Sequence, residues 1–154
     1  MRIFYGLTTA LKNSLEANNV TNVVTFGDIS DLDLNRQGIF PLAHIVTNQA
    51  TIQGPTVNID VSITLADIVD YSDQETKAET EPFYGNNNLQ DVLDTQLFVG
   101  NLITQEALRG SLWDLDYKVT GSTLEPFLDR FENVLAGWVL TMTVEIRNTD
   151  ISIC

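Results

Sequence analysis

The sequence predicts an α+β fold in which a mostly antiparallel sheet of four to five strands is packed by an N-terminal helix and a long central helix. Three stretches carry this expectation. Val57, Ile59, Val61, Ile63 and Leu65 alternate with Asn58, Asp60, Ser62 and Thr64, the period of two that marks a sheet with one buried face and one wet or partner-facing face. Trp138, Leu140, Met142, Val144 and Ile146 alternate in the same way with Thr141, Thr143, Glu145 and Arg147. Between these two stretches, Leu89 to Arg109 carries apolar residues at helical spacing.

Taken in order, Phe4, Leu7, Leu11 and Leu15 recur at helical spacing between Ile3 and about Glu16, while Lys12, Asn13 and Glu16 fall elsewhere on the wheel. This is an amphipathic first helix, and Asn18 and Asn19 suit its C-terminal cap. Thr21 to Phe26 reads as a short strand ended by Gly27. The loop from Asp28 to Gly38 carries Asp28, Asp31, Asp33 and Asn35 in a spacing that departs from the calcium-loop register, so it reads as a solvated turn. Phe40 to Asp70 then forms two antiparallel strands joined at Gln53-Gly54-Pro55.

The stretch 71–88 is poor in apolar residues and rich in Asp, Glu, Thr and Asn. It reads either as a solvated loop or as a segment that orders against a neighbouring subunit. The central helix follows, capped by Asn87 or Asn88 and with Asp91 near its positive end. Leu89, Val92, Leu93, Leu97, Gly100, Ile103 and Ala107 form its inward stripe, where Gly100 permits a close approach to the sheet. Phe98 and Leu102 point away, toward a second layer or a partner. Gly110 ends the helix, and Leu112 to Val119 alternates as a strand. Gly121 to Gly137 reads as a connection with a helical piece around Leu124 to Leu135, in which Pro126 takes a first-turn position. The last strand runs from Trp138 to Arg147, and Ile151 and Ile153 in the tail can extend an edge.

The 154 residues fit one domain, and 44% hydrophobic with 19% charged residues suffices for a core. No apolar run is long enough for a membrane span, and Met-Arg-Ile-Phe-Tyr-Gly-Leu lacks the pattern of a signal peptide, so the expected compartment is a cytoplasm. Cys154 is the single cysteine, which leaves no intrachain disulfide or thiolate metal cluster. Against 21 acidic residues stand 8 basic ones, a net charge of -13 with a pI near 4.1. Without a basic cluster to release phosphate counterions, nucleic-acid binding is not expected; an acidic surface instead suits solubility, or letting DNA pass without adhering.

Enzyme signatures are weak. The single histidine, His44, lies within a strand pattern and reads as a hydrogen-bonded structural residue. Acidic pairs such as Asp114 with Asp116 and Glu125 with Asp129 arise freely in so acidic a chain, and neither GxGxxG nor GxxxxGK[ST] occurs. The expectation is a non-enzyme with no catalytic, cofactor-binding or metal-binding residues.

The order of elements resembles that of the small tail-terminator and tail-completion proteins of long-tailed bacteriophages. The carrying stretches are FYGLTTALKNSLEA, FPLAHIVTNQATI, VNIDVSITLADIVD and TLEPFLDRFENVLAGWVLTMTVEI, which together with the intervening helix span nearly the whole chain. The resemblance implies a virion protein assembled in the host cytoplasm. Copies of it form a ring, of six by this likeness, at the head-proximal end of the tail, capping the tail-tube protein and docking a neck or connector protein. It implies no catalytic residue, no cofactor and no membrane partner, and DNA passes through the ring without specific binding. Candidate subunit-interface residues on this reading are Phe98, Leu102, Tyr71, Phe83 and Tyr84. Candidate lumen-facing acids are Asp67, Asp70, Asp73 and Glu75. A neck connector, a tail-tube or baseplate protein, and a small ligand-binding domain or enzyme are the alternative readings.

Overall fold

The computed structural model of the chain describes residues 3–28, 37–69, 89–130 and 134–147, with the backbone alone at 37, 129 and 130. The fold is α+β. Helix α1 (Ile3–Glu16) precedes strand β1 (Val23–Phe26), a short 3-10 turn (Gln37–Ile39) and the strands β2 (Leu42–Gln53) and β3 (Thr56–Ile68). Helices α2 (Leu89–Arg109) and α3 (Ser111–Asp114) lead to β4 (Lys118–Arg130) and β5 (Val134–Arg147). The five strands form one mixed sheet in the order β1-β2-β3-β5-β4, in which β1 runs parallel to β2 and every other pair is antiparallel.

The alternation in the sequence sets the two faces of this sheet. Ile59, Val61, Ile63 and Leu65 of β3 and Leu140, Met142, Val144 and Ile146 of β5 are buried on one face. Against them lie Leu7, Leu11 and Leu15 of α1, and Val99, Ile103 and Ala107 of α2. On the other face, residues 39–42 close one end by packing Phe40 and Leu42 against Ala66 and Leu135. Much of the rest of that face is polar, with Asp60 accepting hydrogen bonds from Thr143 Oγ1 and Gln49 Nε2, each at 2.7 Å. These two bonds hold the Asp60 carboxyl below its usual range.

Local chemistry explains the boundaries. Asn18 ends α1: its side-chain amide donates to the Leu15 carbonyl, and its Oδ1 accepts from the backbone N–H groups of Val20 and Thr21 at 2.9 and 2.8 Å. Gly54, with φ of 61°, and Pro55 form the two-residue turn between β2 and β3. Gly100 faces the sheet as its place in the stripe predicts, and a Cβ there would lie 3.0 Å from Leu124 and 3.4 Å from Leu65.

Two expectations for the C-terminal half are overturned. Leu112 to Tyr117 is not a strand, and only Lys118 and Val119 of the expected one belong to β4, because a further helical turn forms after Gly110 and ends in a Schellman motif. Tyr117 N–H donates to the Leu112 carbonyl and Asp116 N–H to that of Trp113, both at 3.0 Å, with Asp116 in the left-handed region at φ 65°. Glu106 reaches over this junction and accepts from the Ser111 N–H and hydroxyl at 2.9 and 2.7 Å, which lowers its carboxyl below the usual range. The helical piece around Leu124 to Leu135 is instead the end of β4, as far as Arg130, and the start of β5, from Val134. Its spacing of 124, 127 and 128 looks helical, yet pairing along β5 decides the outcome. Pro126 is tolerated because β4 is an outer strand.

The inward stripe of α2 also differs in part. Val92, Gly100, Ile103 and Ala107 are buried as expected, but Gln96 and Val99 replace Leu97, which is exposed. Phe4 of α1 likewise turns outward and is exposed. The expected caps Asn87 and Asn88, the loop acids Asp31 and Asp33 with Asn35, the stretch 71–88, and the tail with Ile151, Ile153 and Cys154 all lie outside the described residues.

Candidate functional site

Single apolar residues on a surface are ordinary, whereas groups of them beside open sheet edges are candidates for contact. Three such groups surround the helical layer. Between α2 and β4 an open groove of about 530 Å³ is walled by Leu97, Phe98 and Leu124, with Asp94 and Ser122 among its lining. Phe98 is 56% exposed there. On the opposite flank of α2, Leu102, Leu112 and Leu115 border a groove facing Ala10 and Ala17 of α1 and its turn. Leu108, Trp113 and Leu115 stand exposed around the C-terminal end of α2, with the Lys118 ammonium 5.5 Å from the centre of the Trp113 ring. At the other edge of the sheet, Phe4 and Phe26 line a third groove together with Val46.

The structure therefore separates two residues expected on one interface. Phe98 and Leu102 are four apart on α2, but Phe98 borders β4 whereas Leu102 borders α1. Tyr71, Phe83 and Tyr84 lie outside the described residues, as do Asp70, Asp73 and Glu75. Sequence reasoning placed Leu97 on the inward stripe of α2 and singled out neither Trp113 nor Leu115 as exposed. The exposure of Leu97 follows from a rotation of the α2 stripe, and that of Trp113 and Leu115 from a helical turn that the alternation in LWDLDYKV concealed.

Asp67, expected on a lumen, lies near the end of β3 and is half-buried. Burial raises its carboxyl above the usual range, and a 2.8 Å hydrogen bond from the Ile68 N–H offsets this only in part. A raised native pKa means that the folded state holds the proton more readily than the unfolded one, so the carboxylate increasingly costs stability as pH rises through its folded value. Asp67→Asn is expected to give a modest gain in urea midpoint near neutral pH. The gain should vanish below the ordinary carboxylate range, where both states are protonated; an equal effect at both pH values would contradict the assignment.

His44 is fully buried, and both ring nitrogens are engaged at 2.7 Å. The Gly27 carbonyl can only accept, so Nε2 donates to it and Nδ1 faces the Thr25 hydroxyl as acceptor. The ring ties β2 to the strand beside it. This is the structural role expected of a lone strand histidine.

No group of acidic, histidine or cysteine side chains that could hold a metal ion occurs among the described residues. Among them, too, no helix is long and apolar enough to cross a membrane. No family model matches the sequence, and comparison with curated proteins gives no match.

Proposed function

We propose that this chain is a structural virion protein, a tail-terminator or tail-completion subunit of a long-tailed bacteriophage. Copies of it form a ring, of six by the family likeness, that caps the tail tube and docks the neck. The observation that carries the reading is the apolar surface exposed around the helical layer, with Trp113 and Leu115 around the C-terminal end of α2 and Phe4 and Phe26 at the β1 side of a sheet whose outer strand β1 has no further strand among the described residues. Neighbouring subunits would cover such surfaces, and contacts between different patches of identical subunits generate rings when the rotation closes.

The charge distribution supports the same reading. Between Asp67 and Asp94 the chain holds eight acidic residues against Lys77 alone, so much of the acidic surplus falls in one stretch between β3 and the first turns of α2. In a ring these charges would add, and at physiological salt they are screened only beyond about 8 Å, so a narrow lumen would repel passing DNA.

Native mass spectrometry at micromolar concentration tests the assembly. The expected result is a closed oligomer, which Leu115→Asp, at a position 60% exposed in the subunit, shifts to monomer without unfolding it. A monomer for the unaltered chain, or a series of masses without an upper limit as a tube protomer would give, counts against a terminator.

A further inference from the structure

Strand β4 is an outer strand, and no strand lies beyond it among the described residues, so it presents an open row of backbone N–H and C=O groups. Pro126 fixes their direction. The β4–β5 ladder runs on through Pro126 opposite Trp138, so the position without an N–H is the one whose donor would point outward. Residues two apart in a strand share both backbone direction and side-chain face. Ser122 and Leu124 therefore turn their N–H groups outward while their side chains line the groove against α2. An extended segment paired with this edge would lay every second side chain over Leu97, Phe98 and Leu124, and Leu128, 42% exposed, continues the apolar row on the same strand face.

The charged residues beside the middle of this edge are acidic. Asp94 lines the groove, and Glu125 sits between Leu124 and Pro126 on the opposite sheet face, where the alternate side chains of an added strand would fall. Lys118 and Arg130 lie at the two ends of β4, and Arg109 at the far end of α2. We propose that the groove between α2 and the edge of β4 takes up an extended strand of a partner protein by β-addition, a strand whose groove-facing residues are apolar, for Phe98 and Leu124, and whose alternate residues are basic, for Glu125 on the opposite face. A second copy of this chain does not supply that pattern: 8 basic residues stand against 21 acidic ones, and none of its described strands alternates apolar with basic residues. The inference goes beyond the assembly role and stands on the edge and the groove alone.

The test uses the full chain and two short synthetic peptides, one alternating valine with lysine and one alternating valine with glutamate. The lysine peptide is expected to bind at least about tenfold more tightly, to slow hydrogen exchange at the amides of Ser122 and Leu124, and to shift the Phe98 ring signals. Ser122→Pro removes one outward N–H and leaves the ladder to β5, so it should weaken binding by about tenfold or more, while Glu125→Lys should erase or reverse the preference for lysine. Binding that is spread over the acidic surface and unchanged by Ser122→Pro would overturn the proposal. So would self-association in which Ser122 and Leu124 are already protected without peptide and are released by Ser122→Pro, for then the occupant is a second copy.

Discussion

Gly137→Ala should be the most damaging single methyl added to this fold, lowering stability by about 3 kcal/mol or more in a urea titration. Gly137 pairs with Ala66 in the middle of the sheet, and a Cβ placed on it would lie 1.7 Å from the carbonyl oxygen of Leu65 and 3.1 Å from the Ala66 Cα. These are backbone atoms of the neighbouring strand, so no side-chain rotation relieves the clash and the two longest-paired strands must separate. Gly100 provides the internal comparison. An added Cβ there meets the flexible end of Leu124 at 3.0 Å, and alanine also favours a helix by about 1 kcal/mol over glycine, so Gly100→Ala should change little. If Gly137→Ala left the midpoint within about 0.5 kcal/mol of the parent, a spread commonly seen for surface changes, the strand spacing described here would be wrong.

His44→Ala should cost about 2–4 kcal/mol, from a cavity in a fully buried site together with loss of two hydrogen bonds. The Gly27 carbonyl and the Thr25 hydroxyl would each lose a partner held at 2.7 Å, and β1, only four residues long, would lose a tie to β2. Hydrogen exchange should therefore rise first at Val23 to Phe26. A variant of unaltered stability would mean that the imidazole is not the structural link and would reopen a chemical role for it.

These two residues also mark how far the sequence could be read. The placing of His44 inside a strand pattern foretold a bonded core histidine, and the period-2 runs of β3 and β5 foretold the buried face, because burial of one sheet face writes itself directly into alternation. Gly137 was legible only as the end of a connection, since the close approach that requires it depends on Leu65, more than seventy positions away in the chain. The same cause explains the misreading of β4. Leu124, Phe127 and Leu128 have helical spacing, and only pairing with β5 makes them a strand, in which Leu128 is left exposed. In α2 the helix itself was evident, but a rotation of the buried stripe brings Gln96 inside and Leu97 out. A polar residue within an inward stripe carries no local signature. The groove beside β4 was invisible for both reasons together, because it needs the strand and the rotated helix at once.

Electron microscopy of the purified chain tests the assembly reading most directly, because it separates a ring from a tube, an aggregate and a single subunit in one experiment. The expected images show closed rings of uniform diameter with a central opening, dispersed to subunits by Leu115→Asp. Uniform single subunits at micromolar concentration, or tubes growing without limit, would contradict a ring-forming terminator.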